Sequence, residues 1–334
     1  MRIAVFLSVN DIGLYMAPTA DYHLETALKD FNDKVNELES EGGPDEELMD
    51  AYIKRGCVLS MMEYYVSAIS DFDDAINIIH HLEAAGKHVD PGVFVKAYVS
   101  RGEIRGGDDL RPMADDYAMA ATKLGDLKVT SQFYDRKKII KMCIGCCEDL
   151  VDENFPAEID PFVEKAYSLL IAKEDSWSKN RFLEVLNLEG QAQMDLGDTS
   201  EAVETLTRAI EEGTELLKRG DLDDMMCLVF SYATRGDIEQ EGGLTEQFIA
   251  DRKAAIILLE QMNEAHKLSD VHILSQMHQD LANTYLMLHN VKEAEKHLMR
   301  EVALDMNGAG DYINIHADRH DMDDEPKDGD DLDE

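Results

Sequence analysis

Apolar and small residues recur along this chain at intervals of three and four, the spacing that places side chains on one face of an α-helix. The stretch 51–76 carries two such stripes, one for each of two successive helices. Their members are Tyr52, Gly56 and Leu59 in the first helix, and Ala68, Phe72 and Ala75 in the second. Gly56 and Ala68 are small where two helix axes approach closely, and Phe72 supplies the bulk that locks the pair. The pattern therefore predicts two helices folded back on each other.

The small residue of the first stripe returns at a nearly constant interval. It occurs at Gly56, Gly102, Gly145, Gly190, Gly236 and, as an alanine, Ala282, with separations of 43 to 46 residues. A fixed period of this size marks stacked supersecondary units, because one helix pair cannot bury its apolar face alone. We therefore predict an all-α protein, an α-solenoid of about six to seven antiparallel helix pairs.

These residues resemble the tetratricopeptide repeat. Its first helix carries an aromatic residue or Leu, then Leu-Gly or an equivalent, then Tyr, and its second carries Ala, Phe or Tyr, and Ala. The resemblance covers most of residues 21–304 and implies a right-handed superhelix. The period of about 45 residues exceeds the roughly 34 of the standard repeat, so we expect longer helices or longer connections. The residues assigned to packing within and between the repeats are Tyr52, Gly56, Ala68, Phe72, Ala75, Tyr98, Gly102, Tyr117, Gly145, Gly190, Ala202, Ala209, Tyr232, Gly236, Ala282, Tyr285 and Ala294.

The sequence divides into three segments. Residues 1–40 are predicted to form N-terminal helices that act as a degenerate first repeat or cap, since residues 27–35 nearly repeat residues 68–76. Residues 41–306 form the repeat solenoid, and any break or bend in it is expected in the weakly patterned middle region 124–180. Residues 307–334 are an acidic tail, predicted to be disordered from Asp321 because it cannot bury enough apolar area.

The net charge of the chain indicates which kinds of partner it can bind. The chain has 70 acidic residues against 32 lysines and arginines, a formal charge of −38. This charge argues against nucleic acid and against anionic membrane surfaces. It favours a protein or peptide partner with basic or amphipathic segments. The alternative is that the acidity serves solubility or a salty cytoplasm and says nothing about partners.

Composition also indicates the compartment. No run of about 18 apolar residues is present to cross a membrane, and Asn10 and Asp11 interrupt the apolar N-terminal run, which favours a first helix over a signal peptide. The five cysteines show no disulfide framework spacing, which indicates a reducing compartment. We therefore expect a cytoplasmic protein.

The spacing within two clusters of residues is compatible with metal binding or redox chemistry. Cys143, Cys146 and Cys147 share one helix face, but a structural zinc site needs a second pair of ligands, so we interpret them as buried small hydrophobes. His316 and His320 stand four apart without the glutamate of a metalloprotease motif, and we interpret them as part of a solvated tail. Phosphate-binding loops and nucleophile elbows are absent from the sequence. We predict no enzyme activity, no cofactor and no metal.

The resemblance implies that the first helix of each pair lines a concave groove, which holds an extended peptide or a partner helix. By position in the repeat, the groove residues are Ile53, Lys54, Cys57, Met61, Val99, Ser100, Glu103, Asn187, Leu188, Gln191, Met194, Ala233, Thr234, Asp237, Gln279, Asp280 and Asn283. Some members of the family clamp a terminal carboxylate, and here Lys54, Arg55 and Arg101 are the candidates, although packing explains the arginines as well. The sequence thus predicts a non-enzymatic interaction module. The alternative is a peptide-sensing regulatory receptor whose superhelix changes shape on binding.

Overall fold

The computed structural model describes residues 20–106, 110–171 and 173–320, and within them the side chains of residues 23–305. In these ranges the regular elements are helices, as the spacing predicts. They are α1 (Ala20–Glu41), α2 (Asp45–Met61), α3 (Tyr65–Ala84), α4 (Pro91–Ile104), α5 (Arg111–Ala121), α6 (Arg136–Asp152), α7 (Asp160–Leu170), α8 (Ser176–Leu196), α9 (Thr199–Arg219), α10 (Met225–Glu241), α11 (Thr245–Glu264), α12 (His272–Met287) and α13 (Val291–His320), with a 3₁₀ turn at Pro156–Glu158 before α7.

The helices follow one another as pairs, each with a leading and a second helix. The leading helices are α2, α4, α6, α8, α10 and α12, and each carries the recurring glycine or alanine. α1 contains residues 27–35, which nearly repeat residues 68–76 of the second helix α3, so α1 corresponds to the second helix of a preceding pair. The leading helix of that pair would fall on residues 1–19, outside the described residues. The predicted fold, a helical-repeat array of antiparallel pairs, is confirmed.

Close approach explains the small residues of the leading helices. A Cβ on Gly56 would lie 2.9 Å from the Phe72 ring, and one on Gly102 would lie 2.5 Å from the Tyr117 ring. Both rings are fully buried, so the missing side chain is the space that each ring occupies. The residues assigned to repeat packing are all buried in the structure except Tyr232, which is half-buried.

The extra length of each repeat lies in both the helices and the connections. α8 and α9 are 21 residues each, and the connection 122–135 joins α5 to α6 without regular structure. We call this connection the strap. It buries four apolar side chains although it is a loop, namely Leu124, Leu127, Phe133 and Tyr134.

The chain separates into two compact units between Arg208 and Ala209, inside α9. The division into a cap, a repeat solenoid and a tail, with any bend in the middle region, stays a prediction. One expectation about the end of the solenoid needs correction. The helical pattern was expected to end at Met306, but α13 continues to His320. Single glycines cost a helix only about 1 kcal/mol each, so they did not mark its end. The predicted disorder from Asp321 lies outside the described residues.

Several helices end in a residue with left-handed backbone conformation. Gly86, Gly197 and Gly243 occupy this position, with φ between 74° and 84°, as expected for a residue without a Cβ. Glu63 and His289 occupy it elsewhere, with φ of 63° and 56°. The following amide closes the helix in each case, as Asn290 N donates to the Tyr285 carbonyl at 2.8 Å.

None of the helices in the described ranges combines the length and apolar character that a membrane crossing requires.

Candidate interaction surface

Four of the predicted groove residues do not reach the surface. Ile53, Cys57, Val99 and Ser100 are between 0% and 3% exposed. Their assignment to a solvent-facing groove is therefore wrong for the free protein, since the groove face of α2 and α4 is covered. The strap contributes to this cover, since Tyr134 interacts electrostatically with Cys57.

The strap crosses the groove face of the first leading helices. Gln132 Nε2 donates to Asp50 Oδ1 on α2 at 2.6 Å, and a Cβ on Gly92 of α4 would lie 2.6 Å from Ser131 Oγ. Burial raises the pKa of Tyr134 well above its usual value, and the next largest causes include Glu103 of α4 and cysteines of α2 and α6. The strap residues 131–134 therefore lie against three leading helices.

The remaining predicted groove residues are accessible in both units. In the first unit, Lys54, Met61, Glu103, Asn187, Leu188, Gln191 and Met194 are partly exposed. In the second unit, Ala233, Thr234, Asp237 and Asp280 are partly exposed, and Gln279 and Asn283 are exposed. The accessible surface of α8, α10 and α12 is thus rich in amide and hydroxyl side chains.

Ion pairs hold the carboxylates of α10 and α12. Arg252 of α11 pairs with Asp237 and lies 3.5 Å from Asp280, and it also donates to the Ala233 carbonyl at 3.1 Å. Burial raises the pKa of Asp237, although Arg252 acts in the opposite direction. One guanidinium therefore lies between two acids and neutralises part of their charge.

The proposed carboxylate clamp is replaced by internal ion pairs. Arg55 donates to both oxygens of Asp71 at 2.8 and 2.6 Å, and Arg101 donates to both oxygens of Asp116 at 3.0 and 2.5 Å. Both acids are nearly fully buried. Packing is thus the correct interpretation of these arginines, and Lys54 is bonded to Asp50 at 2.7 Å.

The same pair recurs in the second unit, where Arg235 donates to both oxygens of Asp251 at 2.7 and 2.8 Å. The three arginines follow a tyrosine by three positions and precede the repeat glycine, in the segments YIKRG, YVSRG and YATRG. An aspartate follows 15 or 16 residues later. This recurrence was a sequence signal for the pairs that the groove assignment missed.

The cysteine cluster carries no reactive thiol. Cys143, Cys146 and Cys147 are at most 2% exposed. Burial raises the pKa of Cys143 to about 12 and those of the other two well above the usual value. Since the thiolate is the nucleophile and the metal ligand, the interpretation as buried hydrophobes is confirmed. Among the described residues no three His, Cys, Asp or Glu side chains are arranged to hold a metal ion; the side chains of His316 and His320 lie outside them.

Lys96, which the sequence analysis did not single out, shares a face of α4 with two predicted groove residues. Lys96, Ser100 and Glu103 occur on α4 at the spacing of one helix face. Lys96 is only 8% exposed, and it interacts electrostatically with Glu103. Burial raises the pKa of Glu103 to about 7, and Asp149 acts in the same direction. This carboxyl is held close to its titration point at neutral pH.

A second missed cluster lies between α11, α12 and α13. His278 Nδ1 is 2.8 Å from His297 Nδ1, and His278 Nε2 is 3.4 Å from Glu260 Oε1. Arg300 donates to both oxygens of Glu260 at 2.7 and 2.6 Å. Tyr285 stacks on the His297 ring at a centroid distance of 5.8 Å. The two histidines are 19 residues apart on different helices, so no local motif announces them.

Comparisons with known proteins identify structural neighbours only. No family model matches this chain, and no curated protein matches it significantly. The apo form of RapI superposes with a TM-score of 0.52 at 14% identity, over 85% of this chain and 74% of that one. Aspartyl phosphate phosphatase F from Bacillus subtilis superposes with a TM-score of 0.51 at 13% identity, over 89% and 77%. At these identities the likeness shows the fold alone.

Proposed function

From a tetratricopeptide-type helical-repeat fold, we propose that this chain is a non-enzymatic interaction module that binds a partner protein or peptide along its leading helices. The observation that carries the proposal is the presence, in each unit taken by itself, of accessible uncharged polar side chains at equivalent repeat positions of the leading helices. They are Asn187 and Gln191 on α8 in the first unit, and Thr234 on α10 with Gln279 and Asn283 on α12 in the second unit. Amide side chains both donate and accept hydrogen bonds, as the backbone of an extended peptide requires.

The partner's chemistry follows from charge. A surface with a net charge of −38 accelerates the approach of basic segments and repels acidic ones. Near the binding surface itself, Arg252 neutralises part of the acid, so the short-range contacts are hydrogen bonds and apolar packing. We therefore propose a basic or amphipathic partner, whose binding weakens as salt rises.

We also propose where the protein is located and that it catalyses no reaction. All five cysteines are free thiols, which suits a reducing compartment, and we place the protein in the cytoplasm. One structural neighbour is named a phosphatase, but a fold likeness does not transfer an activity. The non-enzymatic assignment is supported by the buried, protonated thiols of α6.

The alternative function is a peptide-sensing receptor that changes shape on binding. The strap is the observation that favours it, because a chain segment already lies over the groove face of α2 and α4. A ligand that moves the strap would change the surface of the first unit. Small-angle scattering of the protein with and without a bound peptide separates a receptor from a rigid scaffold.

A peptide display experiment tests the proposed module. We would select ligands for the purified protein from random peptides of about twelve residues, and measure their binding between about 50 and 500 mM salt. We expect basic or amphipathic sequences that bind the double variant Gln279→Lys/Asn283→Lys about tenfold more weakly. Both positions are exposed on α12, so the added charges do not disturb the core.

The matched control places the same charges elsewhere. Gln247 and Gln261 are exposed on the second helix α11, and the double variant Gln247→Lys/Gln261→Lys carries the same net charge as the groove variant. If the two variants weaken binding equally, the ligands respond to overall charge and the groove assignment is wrong. If no peptide is enriched, the interaction module itself is contradicted.

A further inference from the structure

The strap occupies a face that the repeat pattern would otherwise leave open. Its contacts reach far along the sequence: Gln132 bonds to Asp50, 82 residues away, and the Leu127 carbonyl accepts from Lys165 Nζ at 2.8 Å. Phe133 and Tyr134 are 8% and 7% exposed. Two adjacent aromatic residues of an irregular segment are thus buried against leading helices.

Two buried hydroxyl groups on the leading helices α2 and α4 are left without partners among the described residues. The hydroxyls of Ser60 on α2 and Ser100 on α4 are buried and have no hydrogen-bond partner in the described residues. Lys96, on the same face of α4 as Ser100, is also buried and interacts electrostatically with Glu103. Buried donors and acceptors without partners are unfavourable. The strap therefore packs by apolar contact without satisfying these two hydroxyls.

The strap also packs incompletely on the start of α4. A cavity of about 500 Å³ lies between them, lined by Asp90, Gly92, Gly125, Lys128 and Ser131 among others. Lys128 and Val129 are exposed on the strap, so this part of it is held by few contacts. The centre of the strap, residues 128–130, is thus exposed and has few buried apolar contacts, as is typical of segments that open locally.

We propose that the face of α2, α4 and α6 beneath the strap is a binding site for an extended partner segment with two adjacent aromatic residues, and that Phe133 and Tyr134 occupy it in the free protein. The aromatic side chains of the partner take the positions of the strap's rings. Its backbone carbonyls accept hydrogen bonds from the hydroxyls of Ser60 and Ser100, which have no hydrogen-bond partner among the described residues of the free protein. This inference rests on the proposed function and assigns a ligand class to the first unit.

Because the strap is tethered to the protein, it competes with any free peptide for the proposed site. A strap held at both ends has an effective concentration of the order of millimolar at its own site. A free peptide must compete with it, so the wild-type protein binds such a peptide weakly. Weakening the strap raises the apparent affinity in proportion to the fraction of protein in which the site is open.

The test uses a labelled peptide with the strap's own sequence, DLKVTSQFYD, corresponding to residues 126–135. Fluorescence anisotropy measures its binding to the full-length wild type and to the double variant Phe133→Ala/Tyr134→Ala. We expect the variant to bind the peptide about tenfold more tightly than wild type. A peptide with alanine in place of the two aromatic residues should not bind. Circular dichroism checks that the variant remains helical.

A second variant keeps the test decisive if the double variant fails to fold. Gln132→Ala removes only the exposed anchor to Asp50, and we expect it to bind the peptide about threefold more tightly than wild type. Gln276→Ala, which removes an exposed glutamine bonded within α12, is the matched control and should behave as wild type. If folded strap variants bind the peptide no better than wild type, the inference is wrong. The proposed function then stands or falls separately, on the display ligands and the α12 variants.

Discussion

The paired histidines of the second unit make its stability depend on pH. Arg300 keeps Glu260 ionised, so His278 Nε2–H donates to that carboxylate and its Nδ1 is the acceptor. His297 Nδ1–H must then be the donor in the 2.8 Å contact. The remaining nitrogen, His297 Nε2, is buried and has no hydrogen-bond partner in the described residues. A proton added to His278 would set two N–H groups against each other, so both rings are stable only when neutral.

The size of the effect follows from the pKa of His297. Burial, with help from His278, lowers this pKa from 6.5 to about 4, while the unfolded chain keeps the usual value. Between these values the unfolded state binds the extra proton, so stability is present above about pH 6.5 and is lost as pH falls towards 4. The two pKa values give a loss of about 2 kcal/mol between pH 7 and pH 5 from His297 alone. The pKa of His278 is also lowered by burial and adds to the loss.

Urea unfolding at about pH 7 and pH 5, followed by circular dichroism, measures this loss. The variant His297→Asn keeps an N–H donor near the position of Nδ1 but does not titrate. We expect it to lose about 2 kcal/mol less than wild type over the same interval. His272→Asn, at an exposed position on α12, should lose as much as wild type. Equal losses in wild type and His297→Asn would refute the reasoning, since carboxylate titration is common to both.

Two further predictions concern the repeat interior. Gly102→Ala should destabilise the protein by about 1 to 2 kcal/mol, because its Cβ would lie 2.5 Å from the Tyr117 ring and overpacking outweighs the gain in helix propensity. Gly236→Ala should stabilise it by up to about 1 kcal/mol, because the nearest atom to its Cβ is 3.5 Å away; thermal melts that give the two changes the same sign would contradict this. Arg235→Met should cost about 3 kcal/mol by leaving the buried Asp251 unpaired, whereas adding Asp251→Leu should recover most of that loss in urea titrations. A double variant no more stable than the single one would contradict the ion-pair argument.

The repeat period was enough to predict the helices and their pairing. The close approach at Gly56 and the bulk of Phe72 follow from local spacing, since helix faces repeat at three and four residues. The arginine pairs were also visible in principle, because the aspartate partner of Arg101 lies at a fixed offset on the next helix. What is local or periodic can be inferred from sequence alone.

The strap and the histidine pair could not be inferred in this way. Residues 122–135 have no helical period, and Gln132 meets Asp50 across 82 residues, a contact that only tertiary packing specifies. Assigning Ile53 and Val99 to the groove by repeat position assumed that the groove was empty.

The left-handed helix ends show where the thermal stability of this protein can be raised. Glu63 and His289 have exposed side chains and adopt a backbone conformation that costs an ordinary residue about 1 kcal/mol more than glycine. Glycine is used at the corresponding ends after α3, α8 and α10. A protein engineer could therefore raise the heat tolerance of the array at its turns, leaving every interaction surface of the leading helices in its natural sequence.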